Sequence, residues 1–312
     1  MQVATKNLVY AVEVWRPNDA GDCLTWSWGA CGDRSAIEEG RCSRQYGHGE
    51  GLIGRAWSQR SPAIAYGTKG SLAEEFGTDG VKHAIAIPAI KGDACRGVVV
   101  FLCDNSDDQQ GAFELWPPND RGELSLDQAW HPNLERFGLI SQHVKFPRRA
   151  GLPGKVWNDR FPRVMGALGT SKDFVRVAGA KADGLSTAIG IPFMKSAMDL
   201  EAVLLLLSAA KSPIARVAEV WAADPETDEL KIISADFGSH IDLAPLSQRL
   251  RLAVGEGLAG RVFQDEAPWL TRDLLGVEFP RGEQFAAYGF DWGLGLPVFV
   301  GDRLIAAVTL FN

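Results

Sequence analysis

Gly51-Leu52-Ile53-Gly54-Arg55-Ala56-Trp57 returns as Gly151-Leu152-Pro153-Gly154-Lys155-Val156-Trp157 and again as Gly257-Leu258-Ala259-Gly260-Arg261-Val262-Phe263. Upstream of each stands a Glu-x-Trp segment: Glu13-Val14-Trp15, Glu114-Leu115-Trp116 and Glu219-Val220-Trp221. It precedes the first glycine by 38, 37 and 38 residues. Downstream, Ala84-Ile85-Ala86-Ile87-Pro88 recurs as Ala188-Ile189-Gly190-Ile191-Pro192 and Gly293-Leu294-Gly295-Leu296-Pro297, with Gly80, Gly184 and Gly289 eight residues before each proline. Self-similarity at a fixed period marks a repeat architecture, and the period here is 100 to 106 residues. The chain of 312 residues is therefore expected to hold three domains, 1–104, 105–210 and 211–312. Each is long enough to fold separately around its own core.

Within a unit the Glu-x-Trp segment alternates apolar and polar residues. A turn such as Arg16-Pro17-Asn18-Asp19 then leads to Leu24-Thr25-Trp26-Ser27-Trp28, which predicts a two-stranded hairpin. Helical spacing follows at Leu134, Phe137 and Ile140, and at Leu243, Leu246 and Leu250. After the glycine-rich turn, Leu258, Val262 and Phe263 share one face of a short helix, so Trp57, Trp157 and Phe263 are expected in the core. Gly80, Gly184 and Gly289 each read as a left-handed helix cap. The Ile-x-Ile-Pro segment and the apolar run after it, such as Val98 to Leu102, form a second hairpin. Strands, helices, then strands predict an α+β class: an antiparallel sheet of about six strands per unit, flanked by helices.

Hydrophobic residues make up 46% and charged residues 23% of the chain, as in soluble globular proteins. The longest apolar stretch, Ala202 to Ala210, spans about half of what a transmembrane helix requires. No transmembrane segment is expected, and Met1 to Val9 do not read as a secretory signal. The five cysteines, Cys23, Cys31, Cys42, Cys95 and Cys103, are odd in number and lack paired short spacing. They fit a reducing, intracellular compartment better than a disulfide framework. The net charge of −7 comes almost wholly from the last unit, where residues 211–312 carry 9 basic and 15 acidic groups. No nucleic-acid partner is expected, because the densest basic cluster, Lys145 to Arg149, reads as a solvated loop rather than a stripe.

Gly49-x-Gly51-x-x-Gly54 and Gly255-x-Gly257-x-x-Gly260 match the dinucleotide fingerprint. The second unit breaks it with Arg149, and Ser247 to Leu250 is no buried parallel strand. These glycines read as tight turns that start helices. His48, His83, His131, His143 and His240 lack metal-ligand spacing, and no nucleophile, base and acid set can be assigned. An enzyme is not expected.

The motif Gly-Glu-Gly-Leu-x-Gly-Arg-Val-Phe, a proline five residues on (Pro62, Pro162, Pro268), the helix ending in glycine and the Ile-x-Ile-Pro strand together resemble the GAF domain. All three units share the resemblance. It implies a six-stranded antiparallel sheet between helices, with a pocket that in various members takes cyclic nucleotides, bilins, haem or small metabolites. Other members bind only proteins. A covalently attached bilin is not expected at the usual cysteine region, since residues 55–87, 155–191 and 261–296 contain no cysteine. The same lack argues against a methionine sulfoxide reductase of this fold, which needs a thiolate there. Only Asp104 to Gly111 separates the first unit from the second, too short for the long helices by which GAF sensors pass a signal.

Alternation in the Ile-x-Ile-Pro strands puts large residues (Ile85, Ile87, Ile189, Ile191, Leu294, Leu296) on one face and small ones (Ala84, Ala86, Ala188, Gly190, Gly293, Gly295) on the other. A small face means either a closely packed helix or an open cavity. The third unit has the most room, so a ligand pocket is expected there, floored by Gly293 and Gly295 and walled by Trp269, Phe285, Tyr288 and Trp292. Two functions follow: a non-catalytic protein-binding or assembly subunit of a larger complex, or a small-molecule sensor using one such pocket.

Overall fold

A computed structural model describes residues 7–31, 41, 43–66, 71–76, 81–103, 109–275 and 279–312. Gly80, Cys42 and most of the first linker lie outside them. The architecture is α+β with antiparallel sheets. The first stretch contributes β1 (Ala11–Pro17), β2 (Cys23–Cys31), β3 (Gln45–Gly47), α1 (Gly51–Gln59), β4 (Ala63–Tyr66), α2 (Ser71–Phe76), β5 (His83–Lys91) and β6 (Ala94–Cys103). The second contributes β7 (Gly111–Trp116), β8 (Glu123–Ser125), β9 (Gln128–Trp130), α3 (Glu135–His143), β10 (Lys145–Pro147), α4 (Gly151–Asp159), β11 (Arg163–Met165), α5 (Val177–Ala182), β12 (Leu185–Met194) and β13 (Leu200–Ala209). The third contributes β14 (Val217–Ala223), β15 (Leu230–Asp236), α6 (Leu243–Arg249), α7 (Gly257–Asp265), β16 (Trp269–Thr271), α8 (Gly282–Ala287), β17 (Gly293–Val300) and β18 (Arg303–Phe311).

Three main sheets run in the orders β3-β2-β1-β6-β5-β4, β11-β12-β13-β7-β9 and β15-β14-β18-β17-β16, with β8 and β10 paired apart. Read from the Glu-x-Trp strand outward, the order is the same each time. That strand sits centrally between its hairpin partner and the last strand of its stretch, and the proline strand comes next.

The repeated glycines have one physical cause. Gly51, Gly151 and Gly257 open their helices at φ +58°, +58° and +59°, a left-handed conformation that favours glycine. Three residues on, a Cβ on Gly54, Gly154 or Gly260 would strike the carbonyl oxygen of Gly47, Pro147 or Ala253. The helix is thereby pressed against the preceding loop backbone. Loop amides are spent internally, as in Gly49 N–H to Gly54 O at 2.9 Å and Gly255 N–H to Gly260 O at 2.8 Å. These loops brace helices rather than cradle phosphates. Gly184 and Gly289 take φ of +68° and +64° after their helices, as caps.

The large faces of the three proline strands do not serve three separate cores. Ile85, Ile87, Ile189, Ile191, Leu294 and Leu296 are buried in one cluster shared by all three sheets. β17 packs against both β5 and β12, and the proline strands surround a void of about 30 Å³. Edge strands close the arrangement: β4 lies against β9, β11 against β15, and β16 against β2. The sheets thus form a ring in which edge strands β4, β9, β11, β15 and β16 lie against a neighbouring sheet, which blunts edges that would otherwise invite aggregation. This shared cluster lies beside a separate helix-side cluster in each unit; alternation shows which residues share a face but not what covers it.

Trp157 is buried, as expected, while Trp57 and Phe263 are half-buried against their clusters. Leu246, expected on a buried helix face, is 54% exposed, whereas Leu134, Phe137 and Leu243 are buried. No helix among the described residues is long and apolar enough to cross a membrane.

Candidate functional site

The helix side of each sheet is where the small face lies, and in each unit it is closed by one ionic arrangement. Positions two apart on a strand share a face, so the glutamate and tryptophan of Glu-x-Trp point together. Each indole Nε1 donates to its glutamate: Trp15 to Glu13 at 3.0 Å, Trp116 to Glu114 at 3.1 Å and Trp221 to Glu219 at 2.9 Å. All three glutamates are at most 1% exposed. A carboxylate taken that far from water needs a charged partner, and an arginine supplies it every time.

In the second unit Arg176 Nη1 donates to Glu114 at 2.6 Å and to Ser141 at 2.5 Å. In the third, Arg281 holds Glu219 with two bonds, at 2.5 and 2.9 Å, and also donates to Ser247. Both arginines stand just before a helix, 62 residues after their glutamate. The first unit has Glu75 at that offset, and Glu13 pairs instead with Arg41, which approaches from another segment and is 5% exposed. The charge balance is kept while its donor has moved. Arg176 also lies 4.3 Å over the Phe137 ring, and Arg281 lies 4.9 Å from Phe285, so the guanidinium faces are covered by aromatic rings. Burial pushes the Glu114 carboxyl up, but Arg176 and the His131 hydrogen bond outweigh it and hold the acid down at about 2. The group is a structural anion at neutral pH.

The six residues expected to form a pocket are not brought together. Phe285 is fully buried among Phe279, Phe290 and Phe311. Trp269 lies half-buried on the edge strand, its Nε1 donating to Asp265 at 2.5 Å. Tyr288 is on the surface, its hydroxyl on Asp242. Trp292 packs on the other side, against the shared central core. Gly293 and Gly295 are covered by helix and strand side chains: a Cβ on Gly295 would strike Val262, and one on Gly293 would come within 3.0 Å of Phe311 and 3.1 Å of Leu258. Gly190 is covered likewise, 2.8 Å from Val156. The dent beside Trp269, bounded by Leu258, Arg261 and Phe279, encloses about 0 Å³. The small residues let a helix pack close.

Outside this filled interior, the helix side carries Leu139, Val175, Ile241 and Leu246 at 54 to 71% exposure. Among the described residues no group of three or more His, Cys, Asp or Glu side chains is placed to hold a metal. The Glu-x-Trp repeat stands out in the sequence, but the pairing of its glutamate with an arginine does not follow from the alternation. The signal that could have found it is the common 62-residue offset to Arg176 and Arg281, absent only from the first unit.

No protein-family model matches the chain, and no curated protein is significantly similar to it. Among solved structures, the chain is similar to the nlh2 GAF domain from A. aeolicus, in an inactive state, at 15% identity and TM-score 0.26, over 32% of this chain and 58% of that one. It is similar to the GAF domain of an Acinetobacter phosphoenolpyruvate-protein phosphotransferase at 21% identity and TM-score 0.24, over 31% and 56%. It is also similar to the free methionine-R-sulfoxide reductase from Neisseria meningitidis at 18% identity and TM-score 0.26, over 34% and 55%. In all three the chain spans less than two thirds of the matched chain.

Proposed function

We propose that this chain is a non-catalytic protein-binding or assembly subunit made of three GAF-like units, residues 1–104, 105–210 and 211–312, acting inside the cell. The observation that carries the reading is the filled interior: a buried arginine, glutamate and tryptophan in every unit, together with glycines packed against helix side chains, take up the space a ligand would need. Exposed apolar residues on or beside the helices include Leu139, Val175, Ile241 and Leu246. Exposed apolar groups of this size, two on helices and two in the turns before them, suit contact with another protein. The competing reading is a small-molecule sensor that uses the interior of one unit.

Native mass spectrometry of the full chain purified from its own cells separates the two. The expected result is a stoichiometric complex with a second protein, lost when Leu139→Glu and Leu246→Glu are combined. A chain that carries only a small molecule, displaced by Gly295→Leu with the fold intact, would support the sensor instead.

A further inference from the structure

The three junctions of the ring are built from equivalent positions, and one of them is filled differently. At the first junction Tyr66, which pairs with His83 across β4 and β5, donates to the carbonyl of Ala129. The His83 ring lies tilted, 4.8 Å from that of Trp130, which pairs with Phe113, the residue before Glu114. Extending the Met165 to Ala188 register by one residue puts Gly166 beside Thr187 at the second junction. The residue paired with Ala218, just before Glu219, is Asp236. A tyrosine, histidine and tryptophan have thus been exchanged for a glycine, threonine and aspartate. At the third junction Trp292, three residues before Gly295 as His83 is before Ala86, again packs an aromatic ring on the core.

Where the aromatic rings are missing there is a cleft of about 760 Å³ between the second and third units, lined also by Asn7 of the first, within the size range of small-molecule sites. Its polar wall is organised. Thr187 donates its hydroxyl to Asp236, and the Gly238 amide donates to the other carboxylate oxygen at 3.1 Å. Arg216 is fixed by bonds from Nη1 to the carbonyl of Gly289 at 2.8 Å and from Nη2 to the carbonyl of Tyr288 at 2.7 Å and to His240 Nε2 at 3.1 Å, with Phe290 4.2 Å beneath its guanidinium. Asp291 lines the same space. So does Asn312, which is 4% exposed, and neither polar atom of its side chain has a hydrogen-bond partner. An amide buried and left unbonded costs stability unless something else completes it.

We infer that the cleft between the second and third units binds a small zwitterion of the amino-acid or short-peptide class. A fixed guanidinium suits a carboxylate, and the carboxylates of Asp236 and Asp291 suit an ammonium group. Neither charge type alone matches a wall carrying both. This site lies between units, apart from the filled interiors, and does not depend on the identity of any protein partner.

The test is calorimetric titration of the full chain with each proteinogenic L-amino acid and with diglycine. At least one zwitterion should bind one-to-one and saturably, and its N-acetyl or amide derivative should bind about tenfold or more weakly. Asp236→Asn should weaken binding by a similar factor. The combined Gly166→Tyr, Thr187→His and Asp236→Trp variant, which rebuilds the first junction's aromatic filling, should abolish it while the melting temperature stays near that of the parent. If that variant fails to fold, Asp236→Asn decides alone. Absence of binding by all these probes, or an affinity untouched by Asp236→Asn, would overturn the inference.

Discussion

Arg281 grips both carboxylate oxygens of Glu219, at 2.5 and 2.9 Å, with both side chains at most 4% exposed. A pair so placed gains little net stability over an apolar replacement, but breaking it is costly, because the survivor is left as an uncompensated buried charge.

Arg281→Met should therefore destabilise the protein by about 3 to 5 kcal/mol. The double variant Glu219→Leu with Arg281→Met should lose much less than the sum of the two single changes. Chemical denaturation of the four proteins measures this coupling. Arg41→Met should behave like Arg281→Met although Arg41 comes from a different segment, since it meets the same charge on Glu13.

Gly295→Val should destabilise rather than open or close a binding site. Its side chain would strike Val262 and crowd Leu258, and overpacking of this kind costs about 1 to 3 kcal/mol. Gly190→Val should act the same way through Val156. A shift in the urea midpoint with no change in slope is the expected signature.

Acid should weaken the protein in two stages. Burial pulls His83 down to about 4 from its ordinary 6.5, so below pH 6.5 the unfolded chain takes up a proton that the folded chain refuses until about pH 4. Stability falls across that window. Glu114 is held at about 2 against an ordinary 4.5. Its contribution is complete above pH 4.5 and is lost as pH falls toward 2. His83→Phe should flatten the upper stage only, and Glu114→Gln the lower only, in stability measured against pH.

Much of this was written in the repeated motifs. The 38-residue spacing from Glu-x-Trp to the glycine turn, the left-handed caps and the Ile-x-Ile-Pro hairpin all follow from local periodicity and turn chemistry, and the α+β sheets form where these motifs stand. Two features were not legible. Glu13, Glu114 and Glu219 look like the solvent-facing partners of an alternating strand, because alternation alone does not show the arginine that neutralises them, and the 62-residue offset to Arg176 and Arg281 is missing from the first unit. Ile85, Ile189 and Leu294 look like members of three separate cores, since nothing local distinguishes burial under a helix from burial against another sheet. The pocket expected around Trp269, Phe285, Tyr288 and Trp292 dispersed for the same reason. Gly295 marks close helix packing, and Trp292 belongs to the other face.

Because the three repeats share one core, they are expected to stand or fall together. Differential scanning calorimetry of the full chain reads this cooperativity. The ring of sheets predicts one unfolding transition whose calorimetric and van't Hoff enthalpies agree. Two or three resolved transitions, each with the enthalpy expected of roughly 100 residues, would show that the repeats fold independently and would contradict the shared core formed by Ile85, Ile189 and Leu294.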